Sequence, residues 1–311
     1  MPDLVQITAP ARSSDSPERV IVRRLPEWLT IRLPKRQPIE DVENLMRSER
    51  LVTVCEEARC PNLWECWAKK SATFMIMGDT CTRSCRFCAV KTGRGGPLDP
   101  DEPRRVAEAA KTLGLRHTVV TSVNRDELPD GGAHHFAAVI ENLRELLPGS
   151  IIEVLTPDFL GKTDALDIVV KAKPHIFNHN IETVPRLYKQ VRPQAKYPRS
   201  LEVLKYVKEA DPTIYTKSGF MVGLGETKEE VTALLRDLRD YKVDAITIGQ
   251  YLKPGKGYLD VVEYVHPDVF VEYKAIGLEM GFTFISSGPF VRSSHNAIEL
   301  SEKVGLLPVA E

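Results

Sequence analysis

The residues in this chain with the clearest capacity for chemistry are its six cysteines. They fall into two groups of three with the spacings C-x4-C-x5-C and C-x3-C-x2-C: Cys55, Cys60 and Cys66, and then Cys81, Cys85 and Cys88. Thiolates are ligands of zinc and of iron–sulfur clusters. Three thiolates close in sequence can hold a cuboidal cluster and leave its fourth iron open to a small molecule. We therefore predict two iron–sulfur clusters in one chain, each held by one group.

Two other uses of these cysteines are open on the sequence alone. A structural zinc site would use Cys85-x2-Cys88 as a half-site, but zinc prefers four ligands and the next histidine is His117. A zinc-stabilised binding module without catalysis is therefore the alternative from a different class. A disulfide framework would require an oxidising compartment. The first residues of the sequence lack the apolar segment of a secretory signal, which disfavours that reading.

The composition is close to that of an ordinary globular protein and argues against several classes. The 311 residues are 42% hydrophobic and 27% charged, and the formal net charge is −1. A nearly neutral chain gives no global electrostatic reason to bind nucleic acid or an anionic membrane surface. No segment approaches the roughly 18 continuous apolar residues needed to span a bilayer. We predict a cytoplasmic protein that binds neither nucleic acid nor membrane.

From residue 71 onward, short apolar segments alternate with amphipathic ones. The predicted strands are residues 72–77, 117–123, 151–156, 175–178, 214–222, 245–250 and 282–286. Such alternation is typical of βαβ units around a parallel sheet. We predict an α/β fold, a partial (β/α)6 TIM-like barrel with N-terminal and C-terminal extensions. The second cysteine group directly follows the first of these strands, at the sheet edge where parallel α/β folds build their sites.

The barrel prediction divides the chain into four parts. Residues 1–24, rich in proline, serine and charge, are predicted to be a disordered tail. Residues 25–70 are predicted to be an N-terminal extension carrying the first cysteine group, residues 71–288 the partial barrel, and residues 289–311 a C-terminal extension. Helices are predicted at 39–47 and 103–113, and a capping box of Thr227 and Glu230 begins another.

The second cysteine motif, with Phe87 before Cys88, resembles the cluster-binding motif of the radical S-adenosylmethionine (SAM) superfamily. Together with the upstream C-x4-C-x5-C group, the chain resembles the lipoyl synthase family. The likeness extends over roughly residues 25 to 305. Further stretches that carry it are residues 54–62, 125–133, 178–185, 216–219, 222–227 and 288–294.

The resemblance implies a radical reaction at two [4Fe-4S] clusters. The cluster on the second cysteine group would bind SAM and cleave it to a 5′-deoxyadenosyl radical, which would abstract hydrogen from C6 and C8 of an octanoyl chain. The cluster on the first group would donate two sulfides. An unactivated methylene carries no acidic proton, so acid–base catalysis has nothing to remove. A radical is the chemistry that the substrate requires.

The resemblance also implies partners. The octanoyl chain would be attached to a lysine of a lipoyl carrier domain, either the glycine cleavage H protein or an E2 subunit of a 2-oxoacid dehydrogenase. A low-potential electron donor and a cluster-assembly protein would also be needed. The alternative within the enzymes is a methylthiotransferase-like protein that modifies RNA. A basic chain or an appended RNA-binding domain would be expected there, and the sequence shows neither.

The last motif, Arg292-Ser293-Ser294, matches the segment from which lipoyl synthases supply a serine ligand. By resemblance, Ser294 is the predicted fourth ligand of the first-group cluster, and a hard alkoxide suits a cluster that must come apart. The residue that follows is His295 where the family usually has tyrosine, which leaves His295 as a possible ligand. On residue types alone, the two serines could instead cap the last helix.

Four other residues are predicted to contact SAM: Asn180, Lys217, Gly223 and Glu226. Asn180 and Lys217 lie at predicted strand ends, and residues 219–226 resemble the adenine-contact motif of radical SAM enzymes. The alternative for this glycine-rich segment is an ordinary strand–helix turn. A basic run from Lys189 to Arg199 is either a solvated face or a surface that meets an acidic carrier domain.

Overall fold

The structure, a computed structural model, describes residues 25–30 and 37–308. The predicted tail of residues 1–24 lies outside the described residues. The ten strands of the described part are β1 (Val52–Thr53), β2 (Thr73–Ile76), β3 (Thr80–Cys81), β4 (Lys91–Thr92), β5 (His117–Ser122), β6 (Ile151–Leu155), β7 (Ile176–Asn178), β8 (Tyr215–Val222), β9 (Ala245–Gln250) and β10 (Phe284–Gly288).

The same part of the chain contains eleven α-helices. They are α1 (Gln37–Ser48), α2 (Val54–Glu57), α3 (Leu63–Ala68), α4 (Glu102–Leu113), α5 (Ala133–Leu146), α6 (Thr163–Lys171), α7 (Tyr188–Val191), α8 (Tyr197–Ala210), α9 (Lys228–Asp240), α10 (Pro267–Glu279) and α11 (Ala297–Lys303). Short 3-10 helices lie at Glu27–Leu29, Phe159–Gly161 and Pro185–Leu187. Across all of these residues, no helix is both long and apolar enough to cross a membrane.

Eight strands form one sheet in the order β1-β2-β5-β6-β7-β8-β9-β10. Every pair from β2 to β10 is parallel, and β1 joins β2 antiparallel. Six strand–helix units lead from β2 to α10, and β10 follows as a last parallel strand. Within the described residues β1 and β10 do not pair with each other, so the barrel is open. The α/β fold is confirmed, and all seven segments predicted as strands are strands.

The local signals in the sequence also predict how the helices begin and end. The Thr227 hydroxyl accepts a hydrogen bond from the Glu230 N–H, and the Glu230 carboxylate accepts one from the Thr227 N–H at 2.8 Å. This reciprocal pair is the predicted capping box at the start of α9. Helix α4 has Pro103 in its first turn and ends at Gly114, whose φ of +67° favours glycine. The predicted helices at 39–47 and 103–113 are α1 and α4.

A buried ionic cluster lies inside the sheet near the beginnings of its strands. Lys217 of β8 donates to Glu153 of β6 at 2.9 Å, and the other Glu153 oxygen lies 3.1 Å from the His117 ring. Ser301 of α11 bonds to the opposite nitrogen of that ring at 2.9 Å. Burial alone would raise the pKa of Glu153, but the Lys217 ammonium and His117 together lower that pKa to about 2. The last helix is therefore fixed to the end of the barrel away from the cysteine motif.

Candidate active site

A cavity of about 370 Å³ opens at the carboxyl ends of the parallel strands. Parallel α/β barrels place their sites at this end because the loops that follow the strands converge there. The cavity wall combines residues from both extensions with residues of the barrel. Five of the six cysteines line it: Cys55, Cys60, Cys81, Cys85 and Cys88. The two groups, which are separate in sequence, therefore face one space.

The second cysteine group lies in a loop that ionic bonds hold to the barrel. Cys81 ends β3, and the Arg83 side chain between Cys81 and Cys85 is 2% exposed. Arg83 makes two hydrogen bonds to Asp126, at 2.7 and 2.9 Å, and one to Asp158 at 2.6 Å. Paired guanidinium–carboxylate contacts fix both distance and orientation. The loop is thus bonded to the segments that follow β5 and β6.

A second set of contacts holds the same loop from the side of α7. The Arg86 N–H donates to the Val191 carbonyl at 2.9 Å, and the Ser84 N–H donates to the Gln194 side chain at 3.2 Å. The guanidinium of Arg192 lies beside Cys85 and donates to the Asn180 carbonyl at 2.8 Å. A permanent positive charge therefore lies next to a predicted cluster ligand.

Burial raises the pKa values of two thiols in this group, those of Cys85 and Cys88. The pKa of Cys88 rises to about 12, first because of burial and then because Cys85 and Cys81 are close. Burial also raises the pKa of Cys85, and the nearby Arg192 charge opposes that rise. Such thiols stay protonated at neutral pH until a metal displaces their protons. Binding of the predicted cluster at this site would therefore be coupled to proton release.

The first cysteine group lies on the short helices α2 and α3 and the turn between them. Cys55 is buried in α2, and the Cys60 N–H donates to its carbonyl at 2.9 Å. Burial raises the pKa of Cys55 to about 11, and burial together with Cys55 and Cys60 raises that of Cys66 to about 12. Cys55 and Cys60 are therefore near enough to Cys66 to raise the pKa of its thiol. Unlike Cys55 and Cys60, Cys66 does not line the cavity.

The C-terminal extension reaches the same cavity. Arg292, Ser293 and Ser294 all lie on its wall. The Ser293 hydroxyl accepts a hydrogen bond from Asn180 at 2.6 Å, and the Ser294 hydroxyl accepts one from Thr73 at 2.8 Å. Neither serine caps the last helix, which begins at Ala297 after Asn296 in the N-cap position. The capping alternative for the two serines is therefore wrong.

Two glycines that the sequence reasoning did not single out for this purpose make room for that extension. A Cβ on Gly249 of β9 would lie 2.1 Å from the Val291 carbonyl oxygen. A Cβ on Gly219 of β8 would lie 3.2 Å from the Ser293 hydroxyl and closer still to Thr247 and Asn180. Glycine inside a strand often marks such a close approach, and this was the available signal.

The four predicted SAM-contact residues are not brought together. Asn180 lines the cavity, whereas Lys217 is committed to the buried Glu153 pair described above. Lys217 was expected to line the same pocket, but it lies in the first half of β8, whereas the β8 residues that line the cavity are Gly219, Phe220 and Met221. The Glu226 carboxylate accepts hydrogen bonds from the N–H groups of Gly223 and Leu224, so it closes the turn that precedes α9.

Several cavity residues have a buried polar atom without a hydrogen-bond partner within the protein. A buried polar group normally has one, so such atoms indicate where a polar ligand would bond. They come from the cysteine loop, from the ends of neighbouring strands and from the end of α7: Arg83 Nη1, Ser122 Oγ, Asn124 Oδ1, Thr156 Oγ1, Asn180 Oδ1 and Arg192 Nε. This wall fits a polar cofactor such as SAM. Apart from Asn180, these residues were missed as site residues, and for most of them position at a strand end was the only sequence signal.

The basic run at 189–199 is also partly buried rather than a simple solvated face. Arg192 is 7% exposed, and Arg199 donates to Asp158 at 2.7 Å. The buried Asp158 carboxylate thus joins Arg199 to Arg83. The two guanidiniums overcome the effect of burial and hold the pKa of Asp158 well below its usual range. Two of the charges in this run therefore support the cysteine loop.

The spacing of the thiols bears on the zinc alternative. Within residues 25–30 and 37–308, no three His, Cys, Asp or Glu side chains are grouped closely enough to hold a single metal ion. One zinc ion needs its ligands around a single centre. A cuboidal cluster instead takes one cysteine on each of three irons, so its ligands stand farther apart. Among the described residues the zinc alternative therefore has no assembled single-ion site.

Comparison with known sequences and structures defines the class. The sequence model of the Radical SAM superfamily matches residues 75–238. The fold is similar to that of SuiB from Streptococcus suis bound to S-adenosylmethionine, with a TM-score of 0.54 and 14% identity over 68% of this chain and 49% of that one. It is also similar to methylornithine synthase, with a TM-score of 0.51 and 13% identity over 84% of this chain and 87% of that one. The chain belongs to the radical SAM superfamily.

Two curated relatives define the family within that superfamily. A lipoyl synthase of Rubrobacter xylanophilus is 59% identical over 277 residues, which cover 89% of this chain and 86% of the relative. A lipoyl synthase of Caldanaerobacter subterraneus is 57% identical over 274 residues, which cover 88% of this chain and 96% of the relative. The chain is a member of the lipoyl synthase family, a group of radical SAM sulfurtransferases.

Proposed function

We propose that this enzyme inserts two sulfur atoms, at C6 and C8 of an octanoyl chain carried on a lysine of a lipoyl carrier domain. The observation that supports this reaction best is the shared cavity. Both three-cysteine groups face it, so a radical source and a sulfur source would meet the same bound chain. Family membership supports the same reaction.

Cys81, Cys85 and Cys88 would hold the [4Fe-4S] cluster that binds SAM. When bound, this cluster and SAM supply a one-electron route to breaking an unactivated C–H bond. The chain's own contribution is position and charge. Arg83 and Asp126 fix the cysteine loop, and the unpartnered Arg192 Nε and Asn180 Oδ1 remain available to a polar ligand. Of the four predicted SAM contacts, Asn180 is the one that lines the cavity.

Lys217, Gly223 and Glu226 would support the site from behind rather than touch SAM. Lys217 neutralises Glu153 inside the barrel, and Glu226 fixes the turn after β8. Gly223 has a φ of +101°, which favours glycine, and a Cβ at this position would also collide with the Gln250 side chain and the Glu263 carbonyl. The geometry of this turn therefore accounts for glycine at position 223 without a bound ligand.

Cys55, Cys60 and Cys66, with Ser294 as fourth ligand, would hold the second [4Fe-4S] cluster, which serves as the sulfur substrate. Ser294 shares the cavity wall with Cys55 and Cys60. An alkoxide is a harder ligand than a thiolate and holds iron less firmly, so the serine suits the iron that must leave first. His295 does not lie on that wall, which favours Ser294 over His295 as the ligand.

The remaining wall of the cavity suits an acyl chain. Apolar side chains from several loops line it, including Val54, Phe87, Val90, Leu155 and Leu252. Ligand sites combine such a wall with a few polar groups that set orientation. Arg59 and Lys253 are exposed at the same cavity, and they would meet the carrier domain that delivers the octanoyl-lysine.

The carrier would be the glycine cleavage H protein or an E2 subunit of a 2-oxoacid dehydrogenase. A low-potential electron donor would supply electrons, and a cluster-assembly protein would restore the consumed cluster. Nucleic acid and membrane have no part in the proposal.

Six metal-ligating thiols need a reducing compartment, so we propose a cytoplasmic location. The functional units would be residues 25–70, 71–288 and 289–311.

The test begins with protein reconstituted without oxygen with iron and heavy sulfide (34S). We expect about eight irons per chain. With SAM, a reductant and an octanoyl-lysyl peptide, the product should be a lipoyl peptide that carries heavy sulfur. About four irons per chain, or a product with sulfur of natural isotopic mass, would contradict the proposed sulfur source. Zinc in place of iron would contradict the catalytic proposal as a whole.

A further inference from the structure

One hydrogen bond joins the beginning of the barrel to the C-terminal extension. Thr73 is the first residue of β2 and is 5% exposed. Its hydroxyl donates to the Ser294 hydroxyl oxygen at 2.8 Å, between residues 221 positions apart in sequence. This buried hydrogen bond fixes the position of the Ser294 hydroxyl oxygen relative to β2.

The atom placed in this way lies among the ligands proposed for the sulfur-donating cluster. The backbone N–H of Thr73 lies close enough to Cys55 to lower the pKa of its thiol, although burial dominates and raises that pKa overall. Ser294 and Cys55 also line the same cavity. Thr73 therefore bonds to one proposed ligand, Ser294, through its hydroxyl and has its backbone near a second, Cys55.

The C-terminal extension does not need the Thr73 hydroxyl to follow its path. The Asn62 side chain donates to the Phe290 carbonyl at 2.6 Å, and Asn180 donates to Ser293 at 2.6 Å. Gly249 admits the Val291 carbonyl against β9. These contacts fix the backbone before and at Ser293. The Thr73 hydroxyl acts on the Ser294 oxygen itself.

A serine that binds iron must give up its hydroxyl proton and become a negatively charged oxygen. That oxygen keeps lone pairs that can accept a hydrogen bond, and a bond to a charged acceptor is stronger than one between neutral groups. A donor that already points at the oxygen would therefore favour the bound form. Groups that orient a metal ligand in this way contribute strongly to metal affinity.

We propose that Thr73 is a positioning residue that holds Ser294 in place as a ligand and sets how readily the sulfur-donating cluster loses iron. The proposal rests on the proposed role of Ser294. Thr73 touches neither substrate nor SAM in it. The residue acts through the serine.

The test measures iron release to a chelator from the anaerobically reconstituted full-length enzyme. Thr73→Val removes the hydroxyl and keeps the shape, whereas Thr73→Ser keeps the hydroxyl. Thr118→Val is a matched control, because Thr118 is a buried strand threonine whose hydroxyl pairs with Ser150 at 3.4 Å. We expect Thr73→Val to release one class of iron roughly tenfold faster, as loss of a charged hydrogen bond predicts. Thr73→Ser and Thr118→Val should release iron as the parent enzyme does.

Ser294→Ala separates this proposal from the one on which it rests. If Ser294→Ala accelerates iron release and Thr73→Val does not, the Thr73 proposal is wrong and the Ser294 ligand stands. If neither changes the rate, the ligand role of Ser294 fails first. Equal acceleration in Thr73→Val and Thr73→Ser would indicate packing rather than the hydroxyl and would overturn the proposal. Thr73→Ala, read in the same way, replaces Thr73→Val if the valine variant does not fold.

Discussion

The two cysteine groups face one cavity, but the chain supports them in different ways. The loop of Cys81, Cys85 and Cys88 is bonded to the barrel by Arg83 and by contacts from residues 191–194. The region of Cys55, Cys60 and Cys66 lies on two short helices outside the barrel, and the Asn62 side chain in this region donates a hydrogen bond to the Phe290 carbonyl of the C-terminal extension. The second cysteine group is thus bonded to the barrel. The first group lies where the N-terminal extension meets the C-terminal extension.

This difference matches the work proposed for each cluster. A cluster that acts in every turnover benefits from rigid support, because small displacements of reacting groups cost rate. A cluster that gives up its sulfur must come apart, and single neutral hydrogen bonds are individually weak. The contrast therefore suggests that the chain stabilises one site for repeated use and leaves the other able to open.

The largest expected effect comes from removing a ligand of the rigid site. Cys88→Ala should abolish SAM cleavage, because the SAM-binding cluster loses one of its three thiolates. The first group should keep its own cluster, at about four irons per chain. Product analysis for 5′-deoxyadenosine, with iron content measured in parallel, checks both statements. Cleavage at the parent rate would remove the basis for assigning SAM to this group.

Removing a ligand of the other site should separate the two halves of the reaction. Cys60→Ala should still cleave SAM at a measurable rate, because the second group and the cavity wall next to it are intact. It should form no lipoyl product, since the sulfur source is lost. The measurement is mass spectrometry of an octanoyl-lysyl peptide after anaerobic turnover. Lipoyl product from this variant would show that the two groups do not divide the work as proposed.

The support of the rigid loop can be broken without touching a cysteine. Arg83→Met would leave the fully buried Asp158 with only Arg199 as a charged partner. Breaking a buried pair by removing one member costs about 3 kcal/mol or more. We expect a drop of that size in the free energy of unfolding, measured with urea. Arg104→Met removes the exposed Arg104–Glu108 pair and should cost less than about 1 kcal/mol. Equal losses in the two variants would argue against a special role for the Arg83 network.

A smaller change should affect the C-terminal extension alone. Gly249→Ala would place a Cβ against the Val291 carbonyl and push the neighbouring Arg292 and Ser294 away from the cavity. We expect lipoyl formation to fall by roughly tenfold, the cost of displacing a positioned ligand group. SAM cleavage should change little. Parallel assays of 5′-deoxyadenosine and lipoyl peptide would detect this, and a proportional loss of both would mean that the glycine serves the whole barrel.

Much of the fold could be predicted because its signals are local. The apolar segment at β5, the capping box at Thr227 and the cysteine spacings each lie within a few residues of sequence. The partners of Lys217 and Arg83 could not be predicted, because each depends on which strands become neighbours. Lys217 meets Glu153 from 64 positions away, and Arg83 meets Asp158 from 75 positions away. Lys217 was therefore predicted to contact SAM, and Arg83 was not singled out, because neither partner can be identified until the sheet order is known.

The bond between Asn62 and the Phe290 carbonyl has a consequence for how the protein is made. Its partners are 228 residues apart, so the ribosome finishes the first cysteine group long before the segment that completes its surroundings. At about 5–20 residues per second, that delay is roughly 10 to 45 s. During this interval Cys55, Cys60 and Cys66 are without the Ser294 segment. Under the proposed ligand set, the site of Cys55, Cys60 and Cys66 is therefore complete only once Ser294 has been synthesised, whereas Arg83 of the Cys81 loop has both carboxylate partners once Asp158 has followed β6.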